Sequence, residues 1–391
     1  MKLNHWHGLL DHGGPYATVV LDTSRRDPAG AAEVATRWEN ARRELIGEGA
    51  PEAVADAIAA VVVDAEPGPD GRLLVATEKD GVLLDVTLPH PPETTLASWG
   101  VAPVLLPGVR AYHGVTSYLL VRIDRAGADI ELHGQPGEPV RTVEVEGDHD
   151  ELRKVSSGGS SHLRYQHRAE DSWERNATEV AATVDRLFRG RRPELVLVAG
   201  EDHVVTHFLN HLGAAASKVT RRLGTGGRAE GTSAGALGEA VEAVLTEHRA
   251  QAQKELSDRF SLGEGRQDTA VSGLEDVVDV LRRGQADEIL LQDQPSSTFH
   301  LWVGDEPLQL ATREEDVRAM GAQQPTRVRA DLALTWAALA SDAGITLLDE
   351  DSLRLNDGIG AVLRWSDAST PREAVPSMPG HGESRGGDSV R

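Results

Sequence analysis

The sequence predicts a three-domain protein of mixed α+β and α/β class. Short apolar runs typical of strands alternate with stretches of helical periodicity along most of the 391 residues, a length that suggests two or three separate cores. An apolar stripe from Ala234 to Phe260 repeats at helical spacing and predicts a helix long enough to connect two domains. The predicted units are residues 1–113, 114–264 and 265–368, followed by a tail, 369–391, expected to be disordered because it is rich in Pro, Gly, Ser and charge.

The first predicted domain is an α+β unit in its own right. Its elements are strands at 17–21, 73–76, 81–86 and 104–106, a helix at 30–46, and a helix that runs from Pro51 to Val63. Near its start, the side chains that could stack on RNA or hydrogen-bond to it are His5, Trp6, His7, His12 and Tyr16. A frayed terminus with incidental histidines is the alternative interpretation.

A glycine-tipped loop dominates the middle domain. Residues 156–161 have no apolar side chain, and Gly158 and Gly159 allow the backbone to approach another molecule closely. Basic residues flank this tip on both sides in a chain with 62 acids, 40 bases and a net charge of −22. Such a loop suits the phosphate backbone of a nucleic acid; an ordinary solvated loop is the alternative. The residues predicted to contact RNA are Arg153, Lys154, Ser156, Ser157, Gly158, Gly159, Ser160, Ser161, His162 and Arg164.

The acidic balance of the whole chain opposes binding to RNA, but screening limits that repulsion to roughly 8–10 Å, so local clusters decide. Two further basic clusters lie in the same domain. They are Arg186, Arg189, Arg191 and Arg192, and Lys218, Arg221, Arg222 and Arg228.

The order of elements around the loop carries a family resemblance. Strands at 118–123 and 128–132, the loop, a helix with an apolar stripe and a buried strand at 195–199 follow one another. This order resembles the middle domain of the eukaryotic and archaeal class-1 release factors and of Pelota. The run from Gly158 to Tyr165 lines up without a gap on the loop that, in those release factors, carries Gly-Gly-Gln into the peptidyl-transferase centre. Ser160 stands where the family has its catalytic glutamine.

The third domain extends the resemblance. Its strands and helices predict an α/β sandwich. Gly273–Val277, Arg283–Ala286 and Gly358–Trp365 are similar to the family's third domain, which has the kink-turn-binding ribosomal-protein fold and holds a translational GTPase. An acid-rich surface there suits a protein partner better than RNA. It comprises Glu314, Glu315, Asp316, Asp349, Glu350 and Asp351.

Among its relatives, the chain is most similar to the bacterial branch without the glutamine, which includes the ribosome hibernation factors called Balon. The resemblance implies a cytoplasmic, non-enzymatic protein without a cofactor. It would occupy the ribosomal A site, contact large-subunit and small-subunit rRNA there, and meet elongation factor Tu or another translational GTPase. The first domain, with His5, Trp6, His7 and His12, would face the decoding centre, although none of the family's stop-codon-reading motifs is present.

Other functions remain open from the sequence. Weak peptidyl-tRNA hydrolysis or peptide release is one, because Ser160 keeps its backbone N–H. A stress-response scaffold that never meets the ribosome is another. His203, His207 and His211 share one helical face and could bind zinc, but the usual His-Glu-x-x-His element is absent. The lack of cysteine excludes disulfides and thiolate metal sites, and no apolar run approaches the ~18 residues of a membrane span.

Overall fold

The computed structural model describes residues 2–24, 30–62, 71–134, 140–146, 162–224, 234–266, 268–292, 299–349 and 352–371. Within these ranges, α-helices and β-strands are mixed along the chain and the strands form four sheets, so the predicted fold class is confirmed. In the same ranges, no helix combines the length and the hydropathy that crossing a membrane requires.

The first part of the chain forms an antiparallel sheet with helices on both faces. Its elements are a 3₁₀ helix (Asn4–Asp11), β1 (Tyr16–Asp22), α1 (Gly30–Gly47), α2 (Glu52–Val62), β2 (Gly71–Thr77), β3 (Gly81–Leu88), β4 (Leu96–Gly100) and α3 (Leu106–Tyr112). The strand order is β3-β2-β1-β4. Trp38 and Ile58 of α1 and α2 pack on one face, and Trp6 and Val109 of the 3₁₀ helix and α3 pack on the other. Central strand β1 is therefore buried along almost its whole length.

One predicted strand in this region is wrong. Residues 104–106 lead into α3 instead, and Pro107 lies in the first turn of that helix. Proline suits a first turn because its φ is already helical and its missing N–H would have no partner there. An apolar triplet alone does not distinguish a strand from the start of a helix. The sheet edge is occupied by β4, which the sequence did not predict.

The middle part of the chain forms a mixed sheet. Its elements are β5 (Tyr118–Ile123), β6 (Gly127–His133), β7 (Arg141–Glu146), α4 (His162–Arg191), β8 (Leu195–Gly200), α5 (Asp202–His211), α6 (Ala214–Lys218), β9 (Thr220–Arg222) and α7 (Ala234–Arg266). The strand order is β7-β6-β5-β8-β9, with β5, β8 and β9 parallel. Val180 and Val184 of α4 and Phe208 of α5 pack on one face. Val241 and Leu245 of α7 pack on the other.

The third part of the chain is an α/β sandwich. Its elements are β10 (Ala270–Ser272), α8 (Leu274–Arg282), β11 (Ala286–Gln292), β12 (His300–Val303), β13 (Leu310–Ala311), α9 (Glu314–Ala319), β14 (Thr326–Arg329), α10 (Ala330–Ala340), β15 (Gly344–Leu348) and β16 (Ile359–Leu363). The main sheet has the order β10-β16-β11-β15, and a smaller sheet has the order β13-β12-β14. Helices α8 and α10 cover one face of the main sheet. Phe260 of α7 covers the other.

Helix α7 joins the middle and third parts physically. Its 33 residues correspond to about 50 Å of helix. Val241 and Leu245, in its first half, belong to the core of the middle sheet, whereas Phe260, in its second half, packs against β10 and β16. The long apolar stripe in the sequence therefore belongs to one helix that completes two different cores.

The first and third parts share one hydrophobic core, which the sequence did not predict. The cluster that contains Leu3, Trp6 and Leu9 continues without a break into α8, α10 and the main sheet of the third part. Tyr16 packs edge-on against Trp336, with ring centroids 5.5 Å apart. The domain boundaries at residues 113 and 264 stay a prediction, but the two outer units are packed together.

The start of the tail is ordered, contrary to the prediction that begins it at residue 369. Thr370 is only 5% exposed, and its hydroxyl accepts a hydrogen bond of 3.0 Å from the amide of buried Gln285. A threonine that supplies a partner to a buried amide is held in place even in a polar sequence. Residues 372–391 lie outside the described ranges.

Candidate functional site

The strands of the middle sheet begin and end on two opposite sides, and the segment predicted to bind RNA follows β7 on one of these sides. Strand β7 ends at Glu146, which pairs with Gly127 beside the β5–β6 turn. We call this side of the sheet the loop end. Strands β5 and β8 begin on the opposite side, where Tyr118 is paired with Leu195. Helix α4 runs from the loop end towards this opposite side, which we call the hinge end.

The loop end is built on a rigid turn. The Asp124 carboxylate accepts hydrogen bonds from the backbone N–H groups of Ala126 and Gly127, at 2.8 and 3.0 Å. The Arg125 carbonyl accepts a hydrogen bond of 3.0 Å from the side-chain amide of Asn176 on α4. Asn176 is 8% exposed, so this bond fixes α4 against the turn where both partners are largely shielded from water.

Helix α4 continues well past that turn. Fourteen residues separate its start at His162 from Asn176, which at 1.5 Å per residue is about 21 Å of helix. Glu174 and Arg175 are already exposed, and the buried stripe of the helix begins at Asn176. The loop end therefore carries a helical extension that leads directly to the predicted RNA-contacting residues.

Most of those residues lie outside the described part of the chain. His162 and Arg164 belong to the first turn of α4, where only the backbone is described. The remaining residues of the prediction lie in 147–161, which the structure does not describe: Arg153, Lys154, Ser156, Ser157, Gly158, Gly159, Ser160 and Ser161. Their contacts with RNA stay a prediction.

The other basic clusters do not share the loop end. Arg191 is the last residue of α4 and Arg192 follows it, shortly before β8, and Lys218 is the last residue of α6, two positions before β9. Because β8 and β9 are parallel and Val196 pairs with Thr220, these cations gather at the hinge end. Arg222 lies farther along β9 and forms an ion pair with Asp202, while Arg228 falls outside the described residues.

The aromatic and histidine residues near the N-terminus are not a free RNA-binding segment. Trp6 is 1% exposed and lies in the core, so its indole cannot stack on a base in this conformation. The alternative of a frayed terminus is equally wrong, because residues 4–11 form a 3₁₀ helix packed on β3 and α10. The sequence pattern misleads here because the partners of Trp6 lie hundreds of residues away.

The remaining members of that group have protein partners. His12 Nδ1 lies 2.9 Å from the Asp80 carboxylate, and His7 Nε2 lies 3.9 Å from that of Asp342. Part of the His5 surface stays exposed in the wall of a cleft. Desolvation there, with a further contribution from His7, lowers the pKa of His5 to about 4. His5 is therefore neutral at physiological pH.

The three histidines of α5 are not gathered into a metal site in the described residues. His211 Nδ1 lies 2.8 Å from the backbone carbonyl of His207, and its Nε2 lies 3.9 Å from Glu174. His203 Nε2 lies 3.6 Å from Glu201. Within the described ranges, no group of three or more His, Asp or Glu side chains could hold a metal ion.

The middle part of the chain matches the model of a known family. Residues 117–266 match the model of bacterial archaeo-eukaryotic release factor family 2, a range that runs from one residue before β5 to the end of α7. Over 371 residues, 94% of this chain and 97% of the relative, the chain is 26% identical to uncharacterized protein Rv2629 of Mycobacterium tuberculosis strain H37Rv.

Solved structures with a similar fold are also known. Archaeoglobus fulgidus Pelota is 13% identical, with 93% of each chain covered and a TM-score of 0.29. A translation termination-like factor of S. cerevisiae is 10% identical, with 76% of this chain and 82% of that chain covered and a TM-score of 0.37. TM-scores of this size do not establish a shared arrangement of the domains.

Proposed function

We propose that this chain, whose residues 117–266 match the model of bacterial archaeo-eukaryotic release factor family 2, is a translation factor that occupies the ribosomal A site without catalysis and protects or silences idle ribosomes. The observation that carries the proposal is Ser160 at the tip of the loop. The loop keeps Gly158 and Gly159, which suit insertion into a narrow RNA channel, but it lacks the side chain associated with peptide release.

The geometry of the loop end supports this function. Helix α4 extends about 21 Å beyond the turn that anchors it, so the residues that follow the glycine tip in sequence begin a long helical support. A factor that inserts a loop into a channel needs such a support. A scaffold that never meets the ribosome does not.

The experiment that tests the absence of catalysis is peptidyl-tRNA hydrolysis on programmed ribosomes. We expect no turnover by the natural protein, because loss of one positioned polar group in a site of this kind typically lowers the rate by roughly 10²–10³. Ser160→Gln should gain activity if the backbone geometry is competent, and Ser161→Gln is the matched control at the next position. Robust turnover by the natural protein would establish the hydrolase alternative instead.

Binding to the ribosome needs its own experiment. Sedimentation of the tagged protein with ribosomes from stationary-phase cells should place it in the ribosomal fraction. Chemical probing of rRNA in that complex should then show protection at the A site on both subunits. A protein that stays in the soluble fraction at every salt concentration would support the scaffold alternative.

We further propose that elongation factor Tu, or another translational GTPase, contacts the acid-rich surface of the third domain. Some of these acids are already paired: Glu314 with Arg318 at 2.6 Å and Asp316 with Arg313 at 3.0 Å. Glu350 and Asp351 lie outside the described residues. Glu315 lies 3.5 Å from Arg313 but is the most exposed of these paired acids, at 75%, so it is the better test position.

Charge reversal tests that contact more cleanly than truncation. Removing the third domain would expose Trp6 and Tyr16, which belong to the shared core. Glu315→Lys should reduce co-purification with elongation factor Tu and leave ribosome sedimentation in place. Unchanged co-purification would locate the GTPase contact elsewhere.

A further inference from the structure

A large cleft lies at the hinge end, where all three parts of the chain meet. Its volume is about 1180 Å³, slightly above the roughly 300–1,000 Å³ that is usual for small-molecule sites. Its walls are the N-terminal segment, the connection from α3 to β5, the end of α4, the middle of α7 and the end of β15. The loop end is on the opposite side of the middle sheet, so the cleft is separate from the place where the segment predicted to contact RNA leaves β7.

The cleft concentrates positive charge in an acidic protein. Four segments of its walls contribute five permanently charged cations, against three carboxylates, in a chain with a net charge of −22. The cations are Lys2, Arg110, Arg191, Arg192 and Arg249, and the carboxylates are Glu194, Glu288 and Asp349.

Two of the carboxylates are already engaged by the protein. Glu194 accepts a hydrogen bond of 3.1 Å from the backbone N–H of Ser117 and lies 3.5 Å from His248. Glu288 accepts a hydrogen bond of 2.8 Å from the hydroxyl of Thr346. Their negative charge is thus partly satisfied within the walls, which leaves the cleft favourable for an anion.

Among the cations that line the cleft, Arg192 has the fewest side-chain interactions with other described residues. Its side chain is exposed and makes no hydrogen bond or ion pair with any other residue in the described ranges. Its backbone has a φ of 48° and closes the end of α4 through a hydrogen bond of 2.8 Å to the Phe188 carbonyl. Glycine is the usual residue at such a left-handed helix terminus, because other side chains strain the backbone there. Arg192 thus occupies a strained backbone position, and its side chain lines a cleft. This combination indicates that the side chain has a function.

We propose that this cleft binds a small molecule that carries two or more phosphate groups, with Arg192 as a direct phosphate ligand. Guanidinium groups match the geometry of phosphate oxygens, and cations on separate walls can hold separate phosphates of one ligand. Leu256, Leu347 and Leu348 add apolar surface to the lining, which suits the base or sugar of a nucleotide. Since the ligand would touch all three parts of the chain, its binding would fix their arrangement.

The test uses the full-length protein and three probes: inorganic tripolyphosphate, ATP and GTP. Calorimetry at physiological salt should detect binding of at least one of them, and Arg192→Ala should weaken it about tenfold, the size of one charge-assisted hydrogen bond. Equal affinity for tripolyphosphate and the nucleotides would identify an inorganic polyphosphate site. Tighter binding of a nucleotide would identify the base or sugar as part of the ligand.

Two further variants separate binding from folding. Arg192→Gly relieves the left-handed backbone, so it should raise the thermal midpoint while weakening the probe as much as Arg192→Ala does. Arg189→Ala, an exposed arginine of the same helix end that does not line the cleft, should leave binding unchanged. Equal losses in the Arg189 and Arg192 variants, or no binding of any probe at millimolar concentration, would overturn the proposal. Binding of a single-stranded RNA oligonucleotide at Arg192 with none of the small probes would also overturn it.

Discussion

The loop end and the hinge end of the middle domain differ in how much of the rest of the chain surrounds them. The loop end carries a helix that extends about 21 Å past its last anchor at Asn176. The hinge end is walled in by segments from the first and third parts of the chain. Both ends have basic residues, and in the sequence these look alike. Only the fold shows that the basic residues at the hinge end, among them Arg192 and Arg249, line a cleft.

The comparison teaches that clusters close in sequence can serve opposite surfaces. Arg164 and Arg192 are both on or beside α4, yet the helix between them spans the whole sheet. A count of basic residues between 150 and 230 therefore cannot define one RNA-binding face. Each end needs its own test.

The largest effect is expected for a substitution in the hydrophobic core that the first and third parts of the chain share. Trp6→Ala should destabilise the protein by about 3–5 kcal/mol, the usual cost of removing a fully buried tryptophan, because Trp6 is 1% exposed. Denaturant unfolding measures this cost. Trp365→Ala is the matched control, since that tryptophan is 46% exposed and its removal should cost far less. Equal effects of the two substitutions would show that the shared core does not hold the first and third parts together.

The next effect separates the two ends by their salt dependence. Simultaneous change of Arg153, Lys154 and Arg164 to Ala should weaken ribosome binding and flatten its dependence on salt, by about 0.7–0.9 in the log–log slope for each lost phosphate contact. The matched control at the hinge end changes three cations as well: Arg186, Arg189 and Lys218. Ribosome binding measured from 50 to 200 mM salt should respond to the first set and not to the second. The reverse result would move the RNA contact to the hinge end.

The smallest effect is the dependence of stability on pH that His5, in the wall of the cleft, is expected to cause. The pKa of His5 is about 4 in the folded protein against an ordinary value of 6.5, so the unfolded chain takes up a proton first as the pH falls. Stability should therefore decline between pH 6.5 and pH 4, by a modest amount because His5 is partly exposed. His5→Gln should make the decline shallower in thermal unfolding scans. A variant as sensitive to acid as the natural protein would show that His5 is not the group responsible.

Much of the fold was predictable because local patterns determined it. The run of apolar residues at 17–21 became β1, Pro51 directly precedes α2, and the stripe from Ala234 became α7. The weaker predictions failed where the decisive partner is distant. Strands β4 and β7 lie at sheet edges and have less distinctive sequences, and α3 was mistaken for a strand because an apolar triplet fits either.

The candidate sites also differ in whether their signal in the sequence is local or depends on distant residues. The glycine-tipped segment could be proposed from the sequence because its signal is local: two glycines, four polar neighbours and basic flanks. Its role stays a prediction, since residues 147–161 lie outside the described ranges. The cleft had no sequence signal, since Lys2, Arg110, Arg192 and Arg249 lie in four separate segments that meet only in the folded chain. The histidines and tryptophan near the N-terminus looked like a polar, free segment. Trp6 instead belongs to a core completed by residues more than 250 positions later.

The pairing of Tyr16 with Trp336 has a consequence for the protein during its own synthesis. Translation at roughly 5–20 residues per second separates the appearance of these two rings by about 16–64 s, counting the 320 residues between them. Throughout that interval the 3₁₀ helix and α3, including Trp6 and Val109, lack their packing against α10. The core shared by the first and third parts is thus completed late in synthesis, and until then the partly made chain exposes apolar surface through which it can aggregate.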